Sequence, residues 1–334
     1  MTAYSFGKTL YEKFESILPT SFLKEIKKLY NSWYWRERIV KKYYGERKIN
    51  TVYIIRRYAT NMGIGSYVIS NLSHIDYALK KGFTPIIDMY NYNSTDLSGK
   101  KNNTWTLFYK QPLFETINNL DNAYKQRKYI LSCGGIPEDA PNDSMEFLCN
   151  KDKLKYWSSI YSKYCVLNDK TKKYFEEEYN ELFSPAMRIV GVLCRGTDYY
   201  SLRPVGHPVQ PLADQVVEKT IEVMREYSCN YIYLATEDKN IESTFRRHFG
   251  EKLITNKRVY KDYHKGYLAK TLNIRENDSY YTNLEYLSSL NLLSKCNCII
   301  AGRTSGTVLT MLMNYDYEFC YLWDLGVYEN KDIN

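Results

Sequence analysis

Between Ile189 and Trp323, short apolar runs alternate with stretches of helical periodicity, and this alternation constrains the fold more than any other feature of the chain. Ile189–Leu193, Tyr231–Ala235, Cys298–Ala301 and Phe319–Trp323 are too short for buried helices and rich in β-branched or aromatic residues, so they read as strands. Gln215–Tyr227, Ile241–Phe249, Asn283–Lys295 and Gly306–Met313 read as the helices between them, with a further short strand near Lys252–Thr255. Parallel strands need crossovers of about this length, so the pattern predicts an α/β, doubly wound parallel sheet.

The 334 residues are long enough for two such units. A second α/β pattern begins at Thr51: strand Val52–Arg56, a turn holding Gly63-Ile64-Gly65, helix Ser66–Lys81 and strand Thr84–Asp88. Residues 91–145 are polar and punctuated by Asn, Gly and Pro, with Trp105, Leu107 and Phe108 as local anchors; Lys151–Leu182 is helical and joins the halves. Residues 1–48 read as two helices divided by Pro19, with Leu10, Phe14, Ile17 and Leu18, then Phe22, Ile26, Leu29 and Tyr30, at helical spacing. The expected division is 1–50, 51–185 and 186–334.

Charge is uneven. Residues 1–50 hold 11 Lys/Arg against 5 Glu and so carry +6 of the chain's +8. Cations interleaved with aromatics suit an interfacial membrane helix or an anionic partner; a solvated helix packed on the first domain is the plainer alternative. Outside that segment the charge is nearly balanced, with no basic-aromatic stripe, so nucleic acid is not an expected partner. There is no apolar run long enough for a transmembrane helix and no signal-like start. The eight cysteines are scattered, and Cys296-Asn297-Cys298 lacks zinc-ligand spacing. Reduced thiols and a cytoplasmic location, peripheral at the inner membrane face, are expected.

Parallel strands deliver their C-terminal loops to one edge, where ligands bind. Here three such loops carry chemistry. Arg195-Gly196-Thr197-Asp198 offers a guanidinium fork matched to phosphate oxygens, although a surface Arg–Asp pair would look the same. Glu237 and Asp238 could accept from sugar hydroxyls or simply start a helix. Gly302-Arg303-Thr304-Ser305-Gly306-Thr307 brings hydroxyls and glycines to a helix N-terminus, an anion site in which Thr304 or Ser305 could equally be an ordinary cap. Taken together, the first and third loops are better explained as a diphosphate cradle than as separate structural features. His207, in Gly206-His207-Pro208, lies on the segment that Asp198 opens. No Asp-x-Asp pair exists and the four histidines lack ligand spacing, so no metal is expected.

In order and spacing, Gly191–Asp198, His207-Pro208, Tyr233–Asp238, Leu292-Leu293-Ser294 and Thr304-Ser305 resemble the three motifs of the α1,6-fucosyltransferases, within the superfamily that includes nodulation fucosyltransferases and protein O-fucosyltransferases. Gly63-x-Gly65, Asp88–Asn91 and Thr104–Phe108 are similar to the corresponding first-half segments. The resemblance implies a GT-B-like pair of Rossmann-like domains, 51–185 on the acceptor side and 186–334 binding the nucleotide sugar. It implies metal-independent, inverting transfer from a donor of the GDP-fucose type to a glycan or lipid-linked saccharide, as in polysaccharide biosynthesis.

Arg195 then takes the position of the diphosphate-binding arginine, Thr304 and Ser305 the phosphate-contacting hydroxyls, and Glu237-Asp238 the acidic pair. Gly63, Gly65, Gly196, Arg303, Gly306 and Thr307 complete the expected donor site; Asp198 and His207 join Arg195 as catalytic candidates. Gly196 stands where the family often has a second arginine, Leu193 and Ser289 where it reads guanine, and Arg203 where it carries a carboxylate. Base recognition and the proton acceptor are therefore unassigned. Two rivals remain: a non-catalytic nucleotide- or polysaccharide-binding protein, and a dinucleotide oxidoreductase built on Gly63-x-Gly65 and Asp88, with Val68 in place of a third glycine.

Overall fold

The computed structural model describes residues 20–42, 50–57, 62–90, 92, 97–196, 199, 202–260 and 275–329. Asp198 and Thr197 lie outside them, as do Leu10, Phe14, Ile17, Leu18, Pro19 and His264. The described chain begins with helix α1 (Thr20–Tyr34) and strand β1 (Arg38–Lys41). The first half continues with β2 (Val52–Ile55), α2 (Ile64–Lys80), β3 (Thr84–Ile87) and β4 (Lys128–Leu131). Two helices, α3 (Lys151–Tyr164) and α4 (Asp169–Leu182), lead into β5 (Ile189–Leu193), α5 (Ala213–Glu226), β6 (Tyr231–Ala235), α6 (Lys239–Phe249) and β7 (Leu253–Ile254). The described chain closes with α7 (Asp278–Leu293), β8 (Cys298–Gly302), α8 (Ser305–Met313) and β9 (Phe319–Trp323).

The expected α/β, GT-B-like architecture of two parallel-stranded sheets is present. The second sheet runs β7-β6-β5-β8-β9, wholly parallel and in Rossmann-like order. The first runs β1-β4-β2-β3, with β2, β3 and β4 parallel and β1 antiparallel at the edge. The expected helix through residues 36–42 is corrected by β1. Ile39 and Val40 are β-branched, their sides alternate outward and inward, and β4 offers its edge for pairing. β4 itself lies in the stretch expected to be irregular. Its apolar part is only Tyr129-Ile130-Leu131, too short to show a period.

One hydrophobic core crosses from half to half. Tyr67, Leu72 and Ile75 of α2 belong to the same buried cluster as Leu287 and Leu290 of α7, Ile299 of β8 and Val308, Leu309 and Leu312 of α8. Helix α8 packs on α2, α3 and α7. This explains why α2 and α8 are buried nearly all round rather than on one stripe. All eight cysteines are free thiols. Among the described residues, no helix is long and apolar enough to cross a membrane.

Candidate active site

The register of the second sheet fixes where its loops begin. Leu193 pairs with Ala235 on one side and with Ala301 on the other, so β5, β6 and β8 end level. Cys194 extends the pairing by donating its N–H to Ala235 O at 3.1 Å, and Arg195 is the first residue beyond the sheet. A cleft lies over these ends. Arg195, Gly196, Glu237, Asp238 and Thr304 line it, so five of the expected residues converge. Leu193, Tyr286 and Ser289 form another part of the wall.

Gly196 has a steric reason to be glycine. A Cβ there would stand 2.3 Å from Asp238 Oδ2 and 2.7 Å from Asp238 Cβ, closer than atoms can approach. Asp238 in turn caps α6: its Oδ1 accepts from the N–H of Asn240 at 2.7 Å and of Ile241 at 3.4 Å. The plainer helix-start reading therefore applies to Asp238, which nonetheless borders the cleft. Glu237 faces a cation that the sequence reading missed. Arg258, four residues past β7, donates from a terminal nitrogen to Thr236 O at 2.7 Å, and its other terminal nitrogen lies 3.7 Å from Glu237. Its side chain is 5% exposed and lines the same cleft as Arg195. No motif marks it; only the placement of β7 beside β6 brings it here.

Several expected donor residues have other tasks. Thr304 Oγ1 accepts the Thr307 N–H at 3.1 Å, which makes it the cap of α8, and Thr307 is fully buried with its hydroxyl donated to Gly302 O. Thr307 thus holds the loop from within. Ser305 is the half-buried first residue of α8. Arg303 is directed elsewhere: its Nε donates to Asp143 O at 2.8 Å and it pairs with Asp324 at 2.6 Å. Gly65 and Gly306 flank the Tyr286 hydroxyl, which would lie 3.1 Å and 2.9 Å from their added Cβ atoms. Their smallness lets α2 and α8 close on Tyr286. Gly63 caps α2, with nothing within 4 Å of an added Cβ.

His207 is linked to the cleft edge without lining it. The Arg195 guanidinium lies 5.0 Å over the Tyr199 ring; that ring meets the His207 imidazole edge-on at 5.8 Å, with hydroxyl and Nδ1 3.5 Å apart. The loop is pinned to the C-terminal segment, where Gly206 N donates to Tyr328 O, Tyr328 N to His207 O, and Val209 N to Gly326 O. Gly206 has φ +78°, a left-handed conformation that suits glycine. Arg203 is exposed, with its guanidinium 5.8 Å over the Tyr328 ring.

The cleft holds two guanidinium groups, two carboxylates and the N-terminal ends of α6 and α8. Asp238 answers the partial positive charge of α6, whereas Thr304 at the head of α8 brings no charge. Burial, followed by the charge of Asp238, pushes the Cys194 thiol up to about 12, so it is no nucleophile at neutral pH. Burial likewise raises the Tyr286 phenol, against the opposing effect of Arg195. Ser289 Oγ donates to Tyr286 O at 2.7 Å, and Leu193 beside it is apolar, so this wall carries no carboxylate to accept from a base edge. Among the described residues, no group of three or more His, Cys, Asp or Glu could hold a metal ion.

No family model matches the chain, and no curated protein matches it. Among solved structures it is similar to NodZ alpha-1,6-fucosyltransferase co-crystallized with GDP, at 14% identity and TM-score 0.49, covering 79% of this chain and 92% of that one. It is also similar to fucosyltransferase NodZ from Bradyrhizobium, at 13% identity, TM-score 0.46 and the same coverage. The apo form of POFUT1 aligns at 10% identity and TM-score 0.45, over 83% of this chain and 99% of that one.

Proposed function

We propose that this chain is a metal-independent, inverting glycosyltransferase that takes a nucleotide sugar of the GDP-fucose type and glycosylates a glycan or lipid-linked saccharide. The observation that carries this reading is the level ending of β5, β6 and β8 at a cleft bearing Arg195 and Arg258. In it, residues 186–334 bind the donor and 51–185 face the acceptor, in the cytoplasm.

In an inverting displacement the acceptor oxygen bonds to the anomeric carbon as the bond from that carbon to the diphosphate oxygen breaks. The electron pair leaves with the diphosphate and the acceptor proton passes to a base. Arg195, Arg258 and the N-terminus of α8 supply the fixed positive charge that the leaving diphosphate needs. Glu237, now 3.7 Å from Arg258, would turn to a sugar hydroxyl as phosphate takes up the guanidinium. Asp198 and His207 are the proposed proton acceptors. Gly196 and Thr304 line the cleft, and Ser305, the first residue of α8, is the proposed further phosphate contact. The oxidoreductase alternative loses its main support, because Tyr286 backs the Gly65 turn where a pyrophosphate would approach.

The test is titration with GDP, UDP and dTDP and their sugars, with chelator present throughout. Wild type should bind a nucleoside diphosphate and slowly release it from the matching sugar donor. Arg195→Ala should weaken diphosphate binding by about 10- to 100-fold, the scale of one charge-assisted contact, while leaving the bare nucleoside unchanged. Equal binding by Arg195→Ala and wild type would refute the assignment. Tight nucleotide binding without turnover of any donor would favour the non-catalytic alternative, which Arg203 at the position of the family carboxylate supports.

A further inference from the structure

We propose that the outward face of α1 is a docking surface for an anionic lipid bilayer. Ile26, Leu29 and Trp33 stand at i, i+3 and i+7, one stripe of the helix, and are 41%, 69% and 51% exposed. Isolated exposed apolar residues are ordinary; three large ones aligned along one short helix are not. Ile39, 56% exposed on β1, adds to the apolar surface of the segment.

The other faces of the segment are cationic. Lys24, Lys27 and Lys28 are exposed on α1, and Arg36 and Lys41 follow it. Residues 20–42 hold seven Lys/Arg against Glu25 and Glu37, a net +5. The Arg38 guanidinium lies 4.5 Å over the Trp33 ring, which keeps a cation at the stripe's edge. The inner side of the segment is fastened to the body. Arg56 donates to Tyr34 O and lies 4.8 Å over the Tyr34 ring and 5.1 Å over that of Trp35, while Gly134 N donates to Trp35 O at 2.7 Å.

An apolar stripe with a tryptophan, on a helix that carries lysines on its other faces and is fastened at Tyr34 and Trp35, has the makeup of a helix that lies in a headgroup layer. Anionic headgroups match the excess of positive charge. A second copy of the chain fits poorly, because two segments of net +5 would be brought together. The segment docks where β2 and β4 end, since Arg56 and Gly134 follow those strands. If the transferase reading holds, lipid-linked acceptors would then arrive at the strand ends of the first sheet; the membrane contact does not depend on it.

The experiment is co-sedimentation of the full chain, without nucleotide, with vesicles of phosphatidylcholine alone or mixed with phosphatidylglycerol, at low and high salt. Wild type should sediment with the anionic vesicles only and be released by salt. Leu29→Asp should weaken binding by about tenfold or more, the scale of one buried leucine, and Lys24→Glu with Lys28→Glu should do likewise. Leu29 is outside the core, so the thermal midpoint of Leu29→Asp should equal that of wild type and report correct folding. The proposal fails if wild type ignores anionic vesicles or if folded Leu29→Asp binds them equally well. It also fails if Leu29→Asp instead dissolves a dimer of a chain that binds no vesicles.

Discussion

At the scale of single residues, the cleft depends on a close approach and on a cation that comes from elsewhere in the sequence. Gly196 is held against Asp238 so closely that Gly196→Ala must displace the cap of α6 or the Arg195 loop. We expect it to cost about 1–3 kcal/mol of stability by chemical denaturation and to abolish nucleotide binding. Gly63→Ala, with open space at its Cβ, should cost less than about 1 kcal/mol, the scale of a poorer helix cap, and leave nucleotide binding intact. If the two variants bind alike, the steric account of Gly196 is wrong. Arg195, Gly196, Glu237 and Thr304 were legible because each sits within three residues of a readable strand end. Arg258 was not: it follows a two-residue strand in a mixed polar loop, and only pairing with β6 gives it a role.

At the scale of elements, α2 is the member with most at stake in its packing. Both faces are buried, and His74 lies inside it with no exposure, Nε2 3.0 Å from Gly135 O and Nδ1 3.2 Å from the Tyr53 hydroxyl. That hydroxyl is also 3.1 Å from Glu37. Burial lowers the His74 pKa from 6.5 to about 4; the Gly135 bond opposes the shift and the charge of Arg57 adds to it. The unfolded chain therefore takes up this proton near pH 6.5 and the folded chain only near pH 4. Between those values the unfolded state binds more protons, so stability falls with falling pH, by about 3 kcal/mol across the window. Urea midpoints measured from pH 7 to pH 4 should show this decline, and His74→Gln should flatten it; an unchanged slope would remove His74 as its source. Helices α2, α7 and α8 were readable, whereas β1 was mistaken for helix because its neighbouring residues are helix-compatible and its pairing partner lies some ninety residues away.

At the scale of the whole molecule, the two sheets are joined by one core rather than by a thin interface. Leu309 of α8 is fully buried in the cluster that α2 also enters. Halves that share so much apolar surface should unfold together, unlike domains joined by a small polar contact. We expect a single urea transition, coincident by circular dichroism and tryptophan fluorescence. Leu309→Ala should shift it by about 2–5 kcal/mol without splitting it, since the cavity lies in the shared core. Two resolved transitions would show that the halves fold separately.

The sequence by itself determined the α/β class, the parallel second sheet and the loops at its strand ends, because periodicity and strand length are local properties of the chain. Register, strand order and close approach are not local. Only the tertiary structure brought Arg258 beside Arg195, seated Tyr286 between Gly65 and Gly306, directed Arg303 to Asp324 and buried Thr307. Each depends on which strand lies beside which, and on how much room remains once a shared core has closed.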